Sequence, residues 1–226
     1  MTIAVRRILR DNALSIVVVG AFLLLWFVGQ TTAGMRTLNA ERRADGESEL
    51  DFGEYVTTAH FGEATFENWE SEFLQMGMYV VLTVRLRQRG SAESKPFDEH
   101  VTQDDDPRDH RHDPDAPWPV RRGGIALAVY QRSLSLALLA MFLTSFLLHA
   151  ATGSRVYNDE QAASGVADHV TTWSYLFRAQ FWFESLQNWQ SEFLAVAAIV
   201  VLTIFLRQHG SPESKPVHAP NSATGT

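Results

Sequence analysis

One stretch of this chain occurs twice, and it constrains the possible fold more than any other feature. Residues 68–96 and 188–216 align without a gap at an offset of 120 residues, and 19 of the 29 aligned positions are identical. Each copy begins with an Asn-Trp-x-Ser-Glu-Phe collar, continues through apolar residues and ends in a basic tail. An aromatic collar, an apolar middle and basic residues at one end are typical of a membrane-spanning helix. The sequence therefore predicts a tandem repeat built on membrane helices.

An apolar segment precedes each copy of this stretch. Residues 12–35 carry no charge and follow three arginines, and residues 133–151 repeat this pattern further along the chain. About 20 apolar residues are needed to cross a ~30 Å hydrocarbon core, so both segments are long enough. The first also has the composition of a signal peptide, but its internal counterpart cannot be one, so we expect it to be retained. We predict four spans, at 12–31, 68–86, 133–151 and 188–206.

The predicted fold class is an all-α membrane protein made of two helix-pair repeats, residues 1–96 and 121–216. Short interfacial or extracytoplasmic helices are expected before the second and fourth spans. Because each repeat holds two spans, both enter the membrane in the same sense and should be parallel rather than inverted repeats. Residues 97–120 are rich in Asp, His and Pro and predict a disordered linker, and residues 217–226 predict a flexible tail.

The basic residues that flank the spans predict the orientation. Twelve of them lie on the side that holds both termini and the linker, and five lie on the other side. Cytoplasmic loops carry the excess of Lys and Arg in membrane proteins. We therefore expect both termini and the linker to be cytoplasmic.

The collar is the polar cluster that the two copies share. Only 12 and 14 uncharged residues separate its glutamates from the basic tails, which is too short for a ~30 Å core at 1.5 Å per residue, so the collar must lie at the outer end of each span. Its Asn, Ser and Glu are spaced i, i+3 and i+4 and share one helix face. We predict that the repeat brings both sets together. The candidate site residues are Asn68, Ser71, Glu72, Asn188, Ser191 and Glu192, and the predicted interface anchors are Trp69, Trp189 and Trp182.

Two interpretations of this collar stay open at the level of sequence. In the structural one, the polar residues cap the helices and bond to neighbouring helices. In the functional one, Glu72 and Glu192 together hold a proton or a hard cation. His149 is either a proton relay or the polar end of the third span. The Asp/His run at 109–113 is interpreted as solvated linker rather than a divalent-metal site, so no metal and no cofactor are predicted.

Several kinds of chemistry lack support in the sequence. It contains no phosphate-binding loop, zinc-hydrolase, nucleophile-elbow or dinucleotide-binding motif. Without cysteine it has neither a thiol nucleophile nor a thiolate metal site. The net charge of −7 comes almost entirely from residues 97–119, which sum to −6, so no basic surface for nucleic acid is indicated. We expect a protein that is not an enzyme and binds no nucleic acid.

The twin collars, the following Val-Val-Leu-Thr and Leu-Arg-Gln-x-Gly-Ser-x-Glu-Ser-Lys-Pro segments, and the Asp/His-rich linker resemble a family of uncharacterised bacterial integral membrane proteins. That family is catalogued as a domain of unknown function. The resemblance extends over nearly the whole chain and includes the Asn-x-Glu segments at 39–41 and 158–160. It implies a four-span protein of the bacterial inner (cytoplasmic) membrane and supplies no catalytic residues. The first copy departs from the fuller motif at Glu70, where the second has Gln190.

Two functions are carried forward from the sequence. The first is a non-enzymatic structural or interaction protein of the lipid bilayer, which assembles through its collar into a homo-oligomer or with a membrane-protein partner. The second is a small transporter or channel in which Glu72 and Glu192 form a proton- or cation-coupled pair. A water-accessible crevice at the glutamates favours the second, and glutamates bonded to neighbouring helices favour the first.

Overall fold

The computed structural model describes residues 3–166 and 168–225, and these residues form helices and turns without a strand. The all-α prediction is confirmed for this part of the chain. Met1, Thr2, Ala167 and Thr226, which belong to the predicted repeats and tail, lie outside the described residues. The elements are α1 (Ile3–Asp11), α2 (Ala13–Leu23), a π-helical segment (Leu24–Gln30), α3 (Thr31–Ala44), α4 (Phe52–Tyr55), α5 (Ala59–Arg85), a 3-10 helix (Thr102–Asp104), α6 (Trp118–Arg122), α7 (Gly124–Tyr130), α8 (Ser133–Ala163), α9 (Thr172–Tyr175) and α10 (Ala179–Phe205).

Three helices are long and apolar enough to cross a membrane. The first is the continuous helix Ala13–Ala44, which comprises α2, the π-helical segment and α3, and the others are α8 and α10. Many of their large apolar side chains face outward, and Leu14 and Leu194 are 79% and 70% exposed. Apolar surface of this extent is normally covered by a partner or by lipid. These helices indicate a membrane protein.

The prediction of four apolar spans is too high by one, because α5 is not among the three. It has 27 residues, as α10 does, but its first half carries four glutamates, at positions 63, 67, 70 and 72. The helices that contain the second and fourth predicted spans extend beyond the collars. They begin at Ala59 and Ala179, because the polar residues before each collar continue the helix.

Helix α5 occupies the centre of the bundle. It packs against both α8 and α10, and its crossing with α8 is close, since a Cβ on Gly62 would lie 2.6 Å from Thr152 Cγ2. The first long helix contacts α5 through Trp26, whose Nε1 donates to Thr65 Oγ1 at 3.1 Å and whose ring lies 5.0 Å from that of Trp69. The most charged long helix is therefore enclosed by apolar ones.

In each helix pair, a buried tyrosine packs against a glycine and connects the two long helices. Tyr55 and Tyr175 each end a one-turn helix, α4 or α9, that starts with a capping box, and both side chains are 1% exposed. Tyr55 lies against Gly34, and a Cβ on Gly153 would lie 2.8 Å from Tyr175 Cε1. The same arrangement thus recurs at the same place in both halves of the chain.

An asparagine also holds the loop in each half. Asn39 exchanges two hydrogen bonds with the backbone of Leu50, at 2.9 and 2.8 Å. Asn158 makes the same pair with Val170, at 2.9 and 2.8 Å. These asparagines begin the two Asn-x-Glu segments, so a side-chain clamp on the loop accounts for both.

The two basic tails lie side by side, and a buried lysine joins them. Lys215 is 1% exposed, and its Nζ donates to the carbonyl oxygens of Gly90 in the first tail and of Asn221 and Ala223 at 3.1 and 2.9 Å. The end of the chain folds back so that these carbonyl groups surround the buried ammonium group. Flexibility of residues 217–226 in solution stays a prediction. The equivalent Lys95 forms an ion pair with Asp104 at 2.7 Å.

The contacts at both ends of α5 and α10 show their direction. Asn188 near the start of α10 bonds to Glu67 of α5, and Ser91 after α5 bonds to Thr203 near the end of α10. The two helices therefore run in the same direction.

Residues 97–117 form a series of turns that includes the 3-10 helix. His100 and Asp105 lie 2.9 Å apart, and His110 and Asp113 lie 2.8 Å apart, in ion pairs with exposed side chains. Nearly all the histidine and aspartate side chains of this segment are exposed, as predicted for a solvated linker. Disorder of this segment in solution stays a prediction.

The close approach of Tyr175 to α8 predicts that Gly153→Ala destabilises the protein. The added methyl group overlaps a buried ring, so the free energy of unfolding should fall by about 1–3 kcal/mol. Thermal unfolding in detergent measures this change. Gly20→Ala is the matched control, because no atom lies within 4 Å of the new Cβ and alanine favours a helix. Equal effects of both substitutions would contradict this packing.

The lysine between the tails predicts unequal effects of Lys215→Met and Lys95→Met. The first leaves buried carbonyl groups without a donor and should cost about 1–3 kcal/mol. The second breaks a partly exposed ion pair, which is worth about 0–1 kcal/mol. Denaturant unfolding of the two variants in detergent compares them. A larger loss for Lys95→Met would show that the tails do not depend on the buried lysine.

Candidate functional site

The collar residues of the first copy differ in burial. Asn68 is exposed and bonds to the carbonyl of Ala64, Ser71 is buried and bonds to the carbonyl of Asn68, and Glu72 is exposed. The second set lies on the neighbouring helix α10, since Gln75 bonds to the carbonyl of Glu192 and Glu72 lies within electrostatic range of Glu192. The two glutamates therefore lie near each other without being buried, and their action as a pair stays a prediction.

The collar of the second copy takes part in a different site. Asn188 donates to Glu67 Oε1 at 2.6 Å, while Ser191 is exposed and bonds to the carbonyl of Asn188. Glu192 is half-buried, and its backbone carbonyl accepts from Gln75 Nε2 at 3.4 Å. Only Asn188 of this set reaches the buried polar centre of the protein.

That centre is His149, halfway along α8 and fully buried. Its Nδ1 lies 3.1 Å from Oε2 of Glu70 on α5, and its Nε2 lies 3.3 Å from Oε2 of Glu184 on α10. Glu70 is also fully buried. One imidazole ring therefore bridges two carboxylates from two different helices.

Neutral side chains donate further hydrogen bonds to both carboxylates. Trp189 Nε1 donates to Glu70 Oε1 at 3.2 Å, and the Tyr175 hydroxyl donates to Glu184 Oε2 at 2.9 Å. Gln180 Nε2 donates to the other oxygen of Glu184. Burial and the neighbouring Glu184 raise the pKa of the Tyr175 phenol, so this hydroxyl remains a donor. Trp189, predicted to be an interface anchor, thus donates a hydrogen bond to a buried carboxylate.

Two more carboxylates of α5 lie beside this ring. Glu67 accepts from Asn188, and Glu63 lies against Gly153, one turn of α8 beyond His149 and within electrostatic range of Glu184. We call the set the glutamate–histidine cluster. It consists of His149, Glu63, Glu67, Glu70 and Glu184.

The composition of the cluster requires proton or cation uptake. A neutral imidazole has one N–H, so with carboxylate oxygens at both ring nitrogens either the ring or one carboxyl group must carry an additional proton. With the ring protonated and four ionised carboxylates, the cluster would have a charge of −3. A low-dielectric interior disfavours such a charge strongly. The contacts of His149 therefore require one additional proton, held by the ring or by one of its two carboxyl partners.

The other two predicted interface anchors, Trp69 and Trp182, have different surroundings. Trp69 packs on Trp26 and on Phe22 of the first helix, and Trp182 is 39% exposed and donates to the carbonyl of Leu176. Among the described residues, no group of three or more His, Asp or Glu side chains has an arrangement suited to a metal ion. Anchoring at a membrane interface stays a prediction for both tryptophans.

The cluster stands where the two copies differ. Each of its ionisable residues has a neutral counterpart 120 residues away. Three of its four neutral donors have identical counterparts, since Tyr175, Asn188 and Trp189 match Tyr55, Asn68 and Trp69, whereas Gln180 corresponds to His60. The other copy therefore builds the same helix arrangement without these charges. The counterparts of Glu63, Glu67, Glu70, His149 and Glu184 are Phe183, Gln187, Gln190, Gly29 and Ala64.

This difference is also the signal that could have located the site. The collar hypothesis was based on residues that are identical in the two copies, and it therefore selected Glu72 and Glu192. Glu70 was visible only as a departure from the repeat, and His149 was considered by itself. A search for charges present in one copy and absent from the other finds all five cluster residues.

The bridged ring predicts that His149→Ala is strongly destabilising. It leaves the buried carboxylate of Glu70 and the partly buried carboxylate of Glu184 without their shared partner, which should lower the free energy of unfolding by about 3–5 kcal/mol. Adding Glu70→Gln should restore part of this loss, because a neutral amide needs no counter-charge. Unfolding in detergent at neutral pH measures both. The control Glu72→Gln changes an exposed residue and should stay within about 0.5 kcal/mol. Equal losses for His149→Ala and Glu72→Gln would rule out the bridge.

No curated protein and no solved structure matches the chain. A protein-family model matches residues 5–226, and its description is a domain of unknown function. The resemblance found in the sequence is thereby confirmed at the level of the family. Since the match extends over nearly the entire sequence, the chain belongs to the family described as domain of unknown function (DUF6766).

Proposed function

We propose that this chain is a multi-pass protein of the bacterial inner membrane that binds and releases protons at the glutamate–histidine cluster, as a proton-coupled transporter or channel does. The observation that carries the proposal is a fully buried imidazole between two carboxylates, with two further carboxylates beside it. Ionisable residues inside membrane proteins commonly form proton relays.

The proposed topology includes α5 as a fourth span, with both termini in the cytoplasm. Helix α5 lies between α8 and α10, which shield Glu63, Glu67 and Glu70 and so lower the cost of placing these three carboxylates in a membrane. Its direction is the same as that of α10, as expected for parallel helix-pair repeats. The basic residues near the tails favour the cytoplasmic side for these ends.

A proton suits this site better than a metal ion. Both ring nitrogens of His149 are directed at carboxylate oxygens, at distances that fit a shared hydrogen. A metal ion would require at least one of these nitrogens as an unprotonated ligand. The proposed role is also non-enzymatic, since the sequence contains none of the catalytic motifs sought above.

A second candidate function is assembly through the collar, with a second copy or another membrane protein. Asn68, Glu72 and Ser191 favour it, because these collar residues are exposed although the repeat places them in a shared motif. Within the chain, the collar already joins the two halves through Asn188 and Trp189. In the proposed arrangement this contact holds the cluster together.

Proton uptake into liposomes tests the proposed function. Liposomes that contain the wild type and an internal pH dye should acidify faster than empty ones under an imposed gradient. Glu70→Gln, which introduces the residue of the second copy, should lower the rate at least about tenfold, because it removes an acid–base group from the route.

The control for this assay is Glu192→Gln, which changes the glutamate of the original collar hypothesis and should leave the rate unchanged. Thermal unfolding of each variant verifies that it is folded. Proton uptake no faster than in empty liposomes would overturn the proposal. Loss of uptake in Glu192→Gln but not in Glu70→Gln would assign proton transfer to the collar glutamate instead of the cluster.

A further inference from the structure

We infer that one ridge of α5 is a hydrated proton route, which leads from the glutamate–histidine cluster to Tyr79 and Glu93 at the opposite end of the helix. These two residues form a second proton-exchange station, open to a cavity between the tails. The inference rests on the proposed function and adds to it the path and the inner port.

The route follows every fourth residue of α5. Such residues form a continuous ridge inclined to the helix axis. From Glu67 to Thr83 the ridge spans 16 residues, or about 24 Å at 1.5 Å per residue, which is most of a ~30 Å hydrocarbon core. All of its members are polar, in a part of the helix that is otherwise largely apolar. They are Glu67, Ser71, Gln75, Tyr79 and Thr83.

The ridge faces the interior of the protein. Glu67 bonds to Asn188 of α10, and Gln75 donates to the carbonyl of Glu192 on the same helix. Ser71 is buried, whereas Met76 and Val81, which lie off the ridge, are 45% and 53% exposed. Glu67 and Gln75 thus lie between α5 and α10, whereas Met76 and Val81 face outward.

The second copy lacks this ridge. Gln75 and Tyr79 correspond to Ala195 and Ile199 on α10, although Ser71 and Thr83 have identical counterparts. The polar residues that complete the ridge are therefore confined to α5, as are three of the four cluster glutamates. The helix contact itself is compatible with Ala and Ile at these positions.

The inner end of the ridge opens into a cavity of about 820 Å³ between the tails, the linker and α5. The Tyr79 hydroxyl donates to Glu93 Oε2 at 2.5 Å, and both residues line the cavity. The other charged groups around it are Glu99, Asp104 and Glu213, together with Lys95, which is paired with Asp104, and His100, which is paired with Asp105.

The proposed transfer at this station balances in protons. The Tyr79 O–H bond breaks as a proton moves to Glu93 Oε2, and the phenol oxygen takes a replacement proton from a water molecule beside Gln75. That water molecule regains a proton from Glu67 of the cluster through the water along the ridge, and Glu93 releases its proton to water in the cavity. Ser71 and Gln75 are positioning residues, because they hydrogen-bond water and do not themselves change protonation.

Cysteine accessibility tests the route without relying on flux. The chain has no cysteine, so each substitution introduces a single thiol. Ser71→Cys, Gln75→Cys and Thr83→Cys should react with a water-soluble maleimide at least about tenfold faster than Met76→Cys and Val81→Cys, because thiolate forms in water and not in lipid. Reaction of Gln75→Cys no faster than that of Val81→Cys would overturn the inference.

Flux measurements with Tyr79→Phe test the station itself. This substitution keeps the ring and removes the transferred proton, so proton uptake should fall at least about tenfold, and Glu93→Gln should have the same effect. Tyr130→Phe, on the exposed end of α7, is the control and should not change uptake. Unchanged uptake in Tyr79→Phe would overturn the station.

The two experiments distinguish this inference from the proposed function. If the ridge cysteine variants react quickly but the wild type shows no proton uptake, the proposed function and the station are overturned and a hydrated ridge is supported. Uptake that depends on Glu70 but not on Tyr79 would support the cluster and overturn the station.

Discussion

The arrangement of this protein depends on enclosing a charged helix among apolar ones. Helix α5 brings four glutamates into a bundle whose other long helices are apolar, and an ionised carboxylate facing lipid is costly. His149 on α8 and the donors on α9 and α10 supply the partners that Glu70 and Glu184 need. The glycine that admits Tyr175 permits the close packing that holds these partners at hydrogen-bonding distance.

The two halves of the chain share a scaffold but not a chemistry. Both use a tyrosine against a glycine, an asparagine that clamps the loop, and a Gly-Ser-x-Glu-Ser-Lys-Pro tail. The ionisable cluster occurs once, at positions where the other half has neutral residues. A buried charge is seldom needed for stability, and neutral residues of similar size often serve the fold as well. The unequal distribution therefore supports a role for the charges beyond holding the helices together.

Much of the fold was predictable because it follows from local composition. The apolar segments near residues 12–31, 133–151 and 188–206 coincide with the three helices that are able to span a membrane. The helix ends were less predictable, since polar residues such as those after Ala59 extend a helix without any apolar signal. The backfolded end of the chain was not predictable either, because it depends on Lys215 reaching the carbonyl group of Gly90, 125 residues away in sequence.

The sequence by itself determined the helical class, the repeat and its offset, and the three apolar helices, because each is a property of neighbouring residues. Only the tertiary structure decided which polar residues meet. It placed Glu72 at the surface and Glu70 in the interior, two positions apart on one helix, because their side chains point about 200° apart around its axis. It also joined Glu70 to His149, 79 residues away, because the packing of α5 on α8 fixes that contact and no local pattern encodes it.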